Sequence, residues 1–218
     1  YPRVVSVTED YYFHTNGSFS VTLPVGTADL EVWRGFEYEP VQRTVDVRAG
    51  EWTTLEVDMS RWIDMAAEGW YSGDNHIHPN YGGHYFVQPI DLRNKAQAED
   101  LNVANGMIAN YWGNSRVEDL EHFLGHPHPH GDERTIVYYN EEYRASYFAH
   151  LSLLNLVELV TPFYIGSIGT ANHALYPDNA SVLQQVHDQG GIGGYVHPFG
   201  LNHRDPVLAG PGGARELP

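Results

Sequence analysis

Residues 19–59 alternate apolar and polar side chains in four short stretches, "FSVTL", "ADLEVWRG", "QRTVDVR" and "TTLEVDM". Such alternation sends successive side chains to opposite faces, the pattern of half-buried strands. The segments between them, "PVGT", "YEP" and "RAGE", carry turn residues. Short, evenly spaced strands predict a small antiparallel β-sandwich, which sets a first domain at residues 1–64. The competing arrangement is a pair of hairpins extending the next domain.

After Trp62 the rhythm changes, and residues 65–218 read as a second domain. "PIDLRNKAQAEDL" (89–101) predicts a helix, with Pro89 at its start and acids near that end. "ASYFAHLSLLNLVEL" (145–159) predicts another, with Leu151, Leu154 and Val157 along one side. "DNASVLQQVHDQG" (178–190) predicts a third, which Asp178 or Asn179 can cap and Gly190 can end. Between them lie the short apolar runs "NVANGMIAN", "RTIVYYN" and "GGIGGYVHP". Strands alternating with helices predict an α/β domain with mostly parallel strands.

Composition narrows the chemistry. The formal net charge of −16 supplies nothing to replace phosphate counterions, which argues against nucleic acid as a partner. No apolar run is long enough for a membrane span. The chain contains no cysteine, so thiolate ligands, disulfides and a cysteine nucleophile are excluded. Its 13 histidines leave nitrogen and oxygen as the donors for any metal.

The densest candidate site is "GWYSGDNHIHPNYGGHY", residues 69–85. At strand period, His76 and His78 project from one face. The glycines of "PNYGG" let the chain return His84 toward that pair. Asp74 shares the face, either as a ligand or as the group that orients an imidazole. Further candidates sit where α/β enzymes place them, at strand ends. "IVYYNEEYR" is followed by Glu141, Glu142 and Arg144, and "GGIGGYVHPFG" ends its strand at His197. His150 lies inside the apolar helix predicted over 145–159, where a lone histidine is more often a satisfied core residue than a ligand. His126, His128 and His130 alternate with prolines in a loop. The other histidines show no partner pattern.

Taken together, "GDNHIH", the six-residue step from His78 to His84, "EEYRASYFAHLSLLNL" and "GGIGGYVHPFG" resemble the polymerase-and-histidinol-phosphatase (PHP) superfamily. They resemble in particular its CehA/McbA-type metallohydrolases, over about residues 69–200. The resemblance implies a distorted β/α barrel with two or three divalent ions, zinc, manganese or iron, at its rim. It implies His76, His78, His84, Glu142, His150 and His197 as metal ligands, with Glu141 the alternative to Glu142 by register. The family's Thr-Asp-His motif has no counterpart here: "NGMIANYW" supplies no histidine, and Asn110 is the residue at that place. The family's C-terminal acid is absent too, which implies an incomplete barrel and a natural protein that continues past Pro218. The N-terminal segment resembles carboxypeptidase-regulatory-like modules of exported proteins, which points to a periplasmic or extracellular location.

The activity that follows is metal-dependent hydrolysis. A metal-bound hydroxide attacks an ester-type bond (phosphoester, carboxylester or carbamate) of a small-molecule or glycan-linked substrate. Arg144 is the candidate for orienting an anionic group of the substrate, or else pairs with an acid in a structural network. Asp74 is the candidate base beside the ligands. The rival expectation is a non-catalytic, metal-containing protein that binds a glycan or another ligand.

Overall fold

A computed structural model describes residues 12–81, 86–110 and 116–196. These form two compact units, each considered separately. Residues 12–72 and 94–102 make up the first, and residues 73–93 and 103–196, within the described ranges, the second.

In the first unit, β1 (Gly26–Val32) and β2 (Val41–Val47) pair antiparallel, from Gly26 opposite Val47 to Val32 opposite Val41. "FSVTL" and "TTLEVDM" form no ladder, so the expected sandwich reduces, among the described residues, to this two-stranded hairpin. Alternation favours extended chain, but a strand also needs a hydrogen-bonded neighbour. Here charge pairing and ring contacts hold the unit together. Tyr38 lies between the guanidinium groups of Arg34 and Arg61, at 5.1 and 4.9 Å from its ring centre. Arg61 also meets Asp100, Glu37 and Asp64 at 2.5, 3.3 and 3.0 Å.

The second unit is built on a mixed sheet of seven strands. Its main path runs β3 (Gly73–Ile77), β4 (Val103–Asn110), β6 (Ile136–Ala145), β7 (Ala149–Leu154) and β9 (Ile192–Tyr195). The two-residue strands β5 (Val117–Glu118) and β8 (Tyr164–Ile165) attach to β4 and β6. β3, β4 and β6 are parallel, whereas β6–β7 and β7–β9 are antiparallel. The α/β class holds, with α1 (Pro89–Ala98) and α2 (Asn179–Asp188) as the α-helices among the described residues. The strand–helix alternation of a β/α barrel does not extend through this sheet, because β6 turns directly into β7 as a hairpin.

The helix expected over 145–159 is therefore replaced by β7. Ala145 pairs with Ala149 across a tight turn, and Ala149 takes a positive φ of 70°. Leu151 and Leu153 are wholly buried at strand period. α2 forms as expected: the Asp178 side chain accepts from the Ser181 N–H at 2.8 Å, and Gly190 adopts φ 79° after the helix. Val182 and Val186 of α2 pack with Tyr143, Leu151, Leu153 and Ile165 on one face of the sheet. Gly193 makes room for this helix, since a Cβ there would lie 2.3 Å from Leu183 Cδ2.

The opposite face carries polar groups. Three asparagines relay hydrogen bonds across β3, β4 and β6: Asn105 Nδ2 donates to Asn75 Oδ1, and Asn140 Nδ2 donates to Asn105 Oδ1, at 3.1 and 2.7 Å. Asn140 Oδ1 then accepts from the Leu156 N–H at 3.2 Å. Such a relay satisfies buried amides and fixes neighbouring strands in register.

Candidate metal centre

Sheet register decides which side chains meet. Glu142 lies opposite Ser152, and Arg144 opposite His150, so all four share one face. Glu141 projects to the other face, where it is wholly buried and its Oε2 accepts from the Val160 N–H at 2.8 Å. Burial pushes the Glu141 carboxyl well above the usual carboxylate range, which favours its neutral form. The register thus turns Glu142, not Glu141, toward the histidines.

β3 brings the two histidines from its own end. Its ladder with β4 shifts register between Asp74 and Ile77, and Asp74 Oδ1 accepts from the His76 N–H at 2.9 Å. This local bond occupies Asp74 and shapes the strand that carries both imidazoles. His76 and His78 stand edge to face, with their Nε2 atoms 3.1 Å apart. His78 Nε2 is 3.0 Å from Glu142 Oε2, and His76 Nε2 is 3.6 Å from Glu142 Oε1. One ligand atom from each of His76, His78 and Glu142 falls within 4.8 Å of the others.

These separations suit a metal ion. Nitrogen and oxygen ligands about 2.0–2.1 Å from a tetrahedral ion stand about 3.3 Å from one another; the two imidazole nitrogens, 3.1 Å apart, and the contacts of His78 with Oε2 and of His76 with Oε1 lie near that separation. The group is sheltered, with side-chain exposures of 28% for His76, 20% for His78 and 1% for Glu142. Two imidazoles and a carboxylate can therefore hold a metal ion here.

The neighbours set the orientation of this trio. His76 Nδ1 is 2.8 Å from Ser152 Oγ, which leaves Nε2 as the nitrogen facing the group. Arg144 donates to Glu142 Oε2 from Nε and Nη2, at 2.8 and 2.6 Å. From Nη1 it donates to the Tyr81 hydroxyl and the Asn110 carbonyl, at 2.9 and 2.8 Å. Burial works against the guanidinium charge, but the Glu142 carboxylate and the Tyr81 hydroxyl outweigh it and raise the Arg144 pKa. His150 Nδ1 lies 3.1 Å from Glu142 Oε1, so His150 meets the trio through the carboxylate.

The expected site residues thus divide into three sets. His76, His78 and Glu142 converge, and His150 and Arg144 bracket Glu142. Asp74 lies beside His76 and bonds its backbone. His84 and His197 lie outside the described residues. Asn110 enters through its backbone carbonyl on Arg144. Ser152 and Tyr81 were not singled out in the sequence. Ser152 lies two residues after His150, a same-face position that a strand reading exposes and a helix reading hides.

No family model, curated protein or solved structure matches this chain.

Proposed function

We propose that this protein is a metal-dependent hydrolase of ester-type bonds. The observation that carries the reading is the meeting of His76 on β3, His78 just past the end of β3, and Glu142 on the non-adjacent strand β6 in one sheltered group. Its motif order, which resembles the PHP superfamily, supports the same reading. A bound divalent ion supplies Lewis acidity and makes a water molecule acidic enough to act near neutral pH. Zinc, manganese and iron all suit the donors, and His84 and His197 are the candidates to extend the set toward two or three ions.

The chain's own groups have separable tasks in this proposal. His76 and His78 hold the ion through Nε2, and Glu142 completes the trio. Arg144 holds the Glu142 carboxylate in place through two charge-assisted bonds to Oε2. Ser152 holds the ring of His76. Substrate access is favoured at Gly194, which pairs with Ser152, where a Cβ would meet nothing within 4 Å among the described residues.

A second reading, a non-catalytic glycan-binding protein, has its own support in the first unit. Trp52 and Phe36 are 87% and 92% exposed there, and flat exposed rings suit sugar stacking. Elemental analysis of the purified protein, followed by assays on paired phosphoester and carboxylester substrates before and after chelation, separates the two. The hydrolase reading expects bound metal, activity lost on stripping and restored by metal, and loss of both in His76→Ala with His78→Ala. Hydrolysis that persists in the double variant overturns it.

A further inference from the structure

The contacts of Tyr81 close a ring around one edge of the metal centre. Its hydroxyl accepts from Arg144 Nη1 at 2.9 Å, and its ring centre lies 4.8 Å from the same guanidinium. Its ring also meets that of His78, with centroids 5.1 Å apart and planes tilted by 50°. Arg144 in turn bonds Glu142 Oε2 twice, and Glu142 Oε2 is 3.0 Å from His78 Nε2. Tyr81, His78, Glu142 and Arg144 therefore touch in a closed cycle that contains two of the three candidate ligands.

We propose that Tyr81 is a positioning residue of the metal centre, bracing the His78 ring against the Arg144–Glu142 pair so that imidazole and carboxylate keep the spacing one ion requires. This role rests on reading His76, His78 and Glu142 as a metal centre, and it adds a residue that acts on the centre without ligating.

His78 has the greater need of such a brace. Ser152 orients His76 through Nδ1, whereas among the described residues no hydrogen bond holds Nδ1 of His78. His78 also lies just past the end of β3, beyond the ladder that fixes the strand. The Tyr81 ring is then what sets its direction, and tilted rings at this separation attract. On the other side, Tyr81 engages Arg144 twice. The guanidinium lies within the roughly 6 Å reach of a cation–π contact, and its bond to the hydroxyl is charge-assisted. A tyrosine that only filled the core would face aliphatic side chains, not an imidazole and a guanidinium.

The chain is anchored where Tyr81 leaves it. The Asn80 side chain accepts from the Val87 N–H at 2.7 Å and donates to the Val87 carbonyl at 2.8 Å, like a peptide group pairing across a ladder. Asn80 Nδ2 also donates to Asp119 Oδ1 at 2.6 Å, which fixes the amide.

The test is competition of zinc against a chelator, together with the visible spectrum of bound cobalt(II), in the parent and two variants. Tyr81→Phe removes the hydroxyl and keeps the ring, and Arg144 Nη1 retains the Asn110 carbonyl. Tyr81→Leu removes both contacts. Zinc affinity is expected to fall about twofold to tenfold in Tyr81→Phe and about tenfold to a hundredfold in Tyr81→Leu, the range for losing a partner of a metal ligand. The cobalt(II) ligand-field bands should move in Tyr81→Leu and less in Tyr81→Phe, a change in the shape of the ligand set that lost stability alone does not produce. Parent affinity and spectrum in Tyr81→Leu overturn the proposal. Should Tyr81→Leu fail to fold, parent affinity in Tyr81→Phe overturns it. A parent protein that binds neither ion sinks the metal-centre reading and Tyr81 with it, whereas binding by the parent that neither variant alters sinks the role of Tyr81 alone.

Discussion

Ser152 is 8% exposed, and its hydroxyl meets His76 Nδ1 at 2.8 Å. An imidazole bonded at one nitrogen presents the other in a defined direction, so the serine positions the His76 ring. Ser152→Ala is expected to weaken divalent-metal binding about tenfold to a hundredfold, read by competition with a chelator. Ser152→Thr keeps a hydroxyl and should retain most of the affinity. Equal affinities in parent and alanine variant would assign Ser152 to packing alone. The same scale separates Glu141 from Glu142. The two are adjacent in sequence and equally acidic in solution, yet one faces imidazoles and the other faces the hydrophobic core.

At the scale of elements, β7 is the instructive case. "AHLSLL" satisfies a helical spacing and a strand alternation about equally, because leucines occupy positions of both periods. What chose between them was a partner: β6 offers an edge, and Ala145 pairs with Ala149 to begin the hairpin. By contrast, α2 needed no such arbitration. A capping aspartate, apolar Val182 and Val186 at helical spacing, and a terminal glycine all point to one outcome. β4 adds a packing constraint on the central sheet. At Gly106 a Cβ would lie 2.8 Å from the Tyr139 ring, which is buried and has little room to move. Gly106→Ala is expected to cost about 1–3 kcal/mol of stability by overpacking, measured as a lower midpoint in urea with an unchanged slope. A midpoint equal to the parent's would mean that Tyr139 can shift freely.

For the molecule as a whole, the titration of Glu141 couples stability to pH. Burial raises its folded pKa above the unfolded value of about 4.3, so the folded state holds a proton that the unfolded state gives up. Its contribution is full below about pH 4 and is lost progressively as pH rises from there through the raised folded value. Glu141→Gln removes this dependence. Its melting temperature relative to the parent should therefore climb between pH 4 and pH 8, and a constant difference across that range would refute the assignment. Charge is also a property of the whole chain: a net −16 over 218 residues supports solubility and disfavours polyanions, but it does not select a fold. Local signals determined much here. The HxH pair, α1, α2, β4, β6 and β9 were legible because hydrophobic period, caps and turn residues act over a few neighbouring residues. The hairpin reading of β7, the loss of the expected sandwich, the turn of Glu142 rather than Glu141 toward the histidines and the contact of Ser152 with His76 were decided by tertiary structure. Each depends on which strand lies beside which and in what register, and a one-residue change of register sends every side chain to the opposite face.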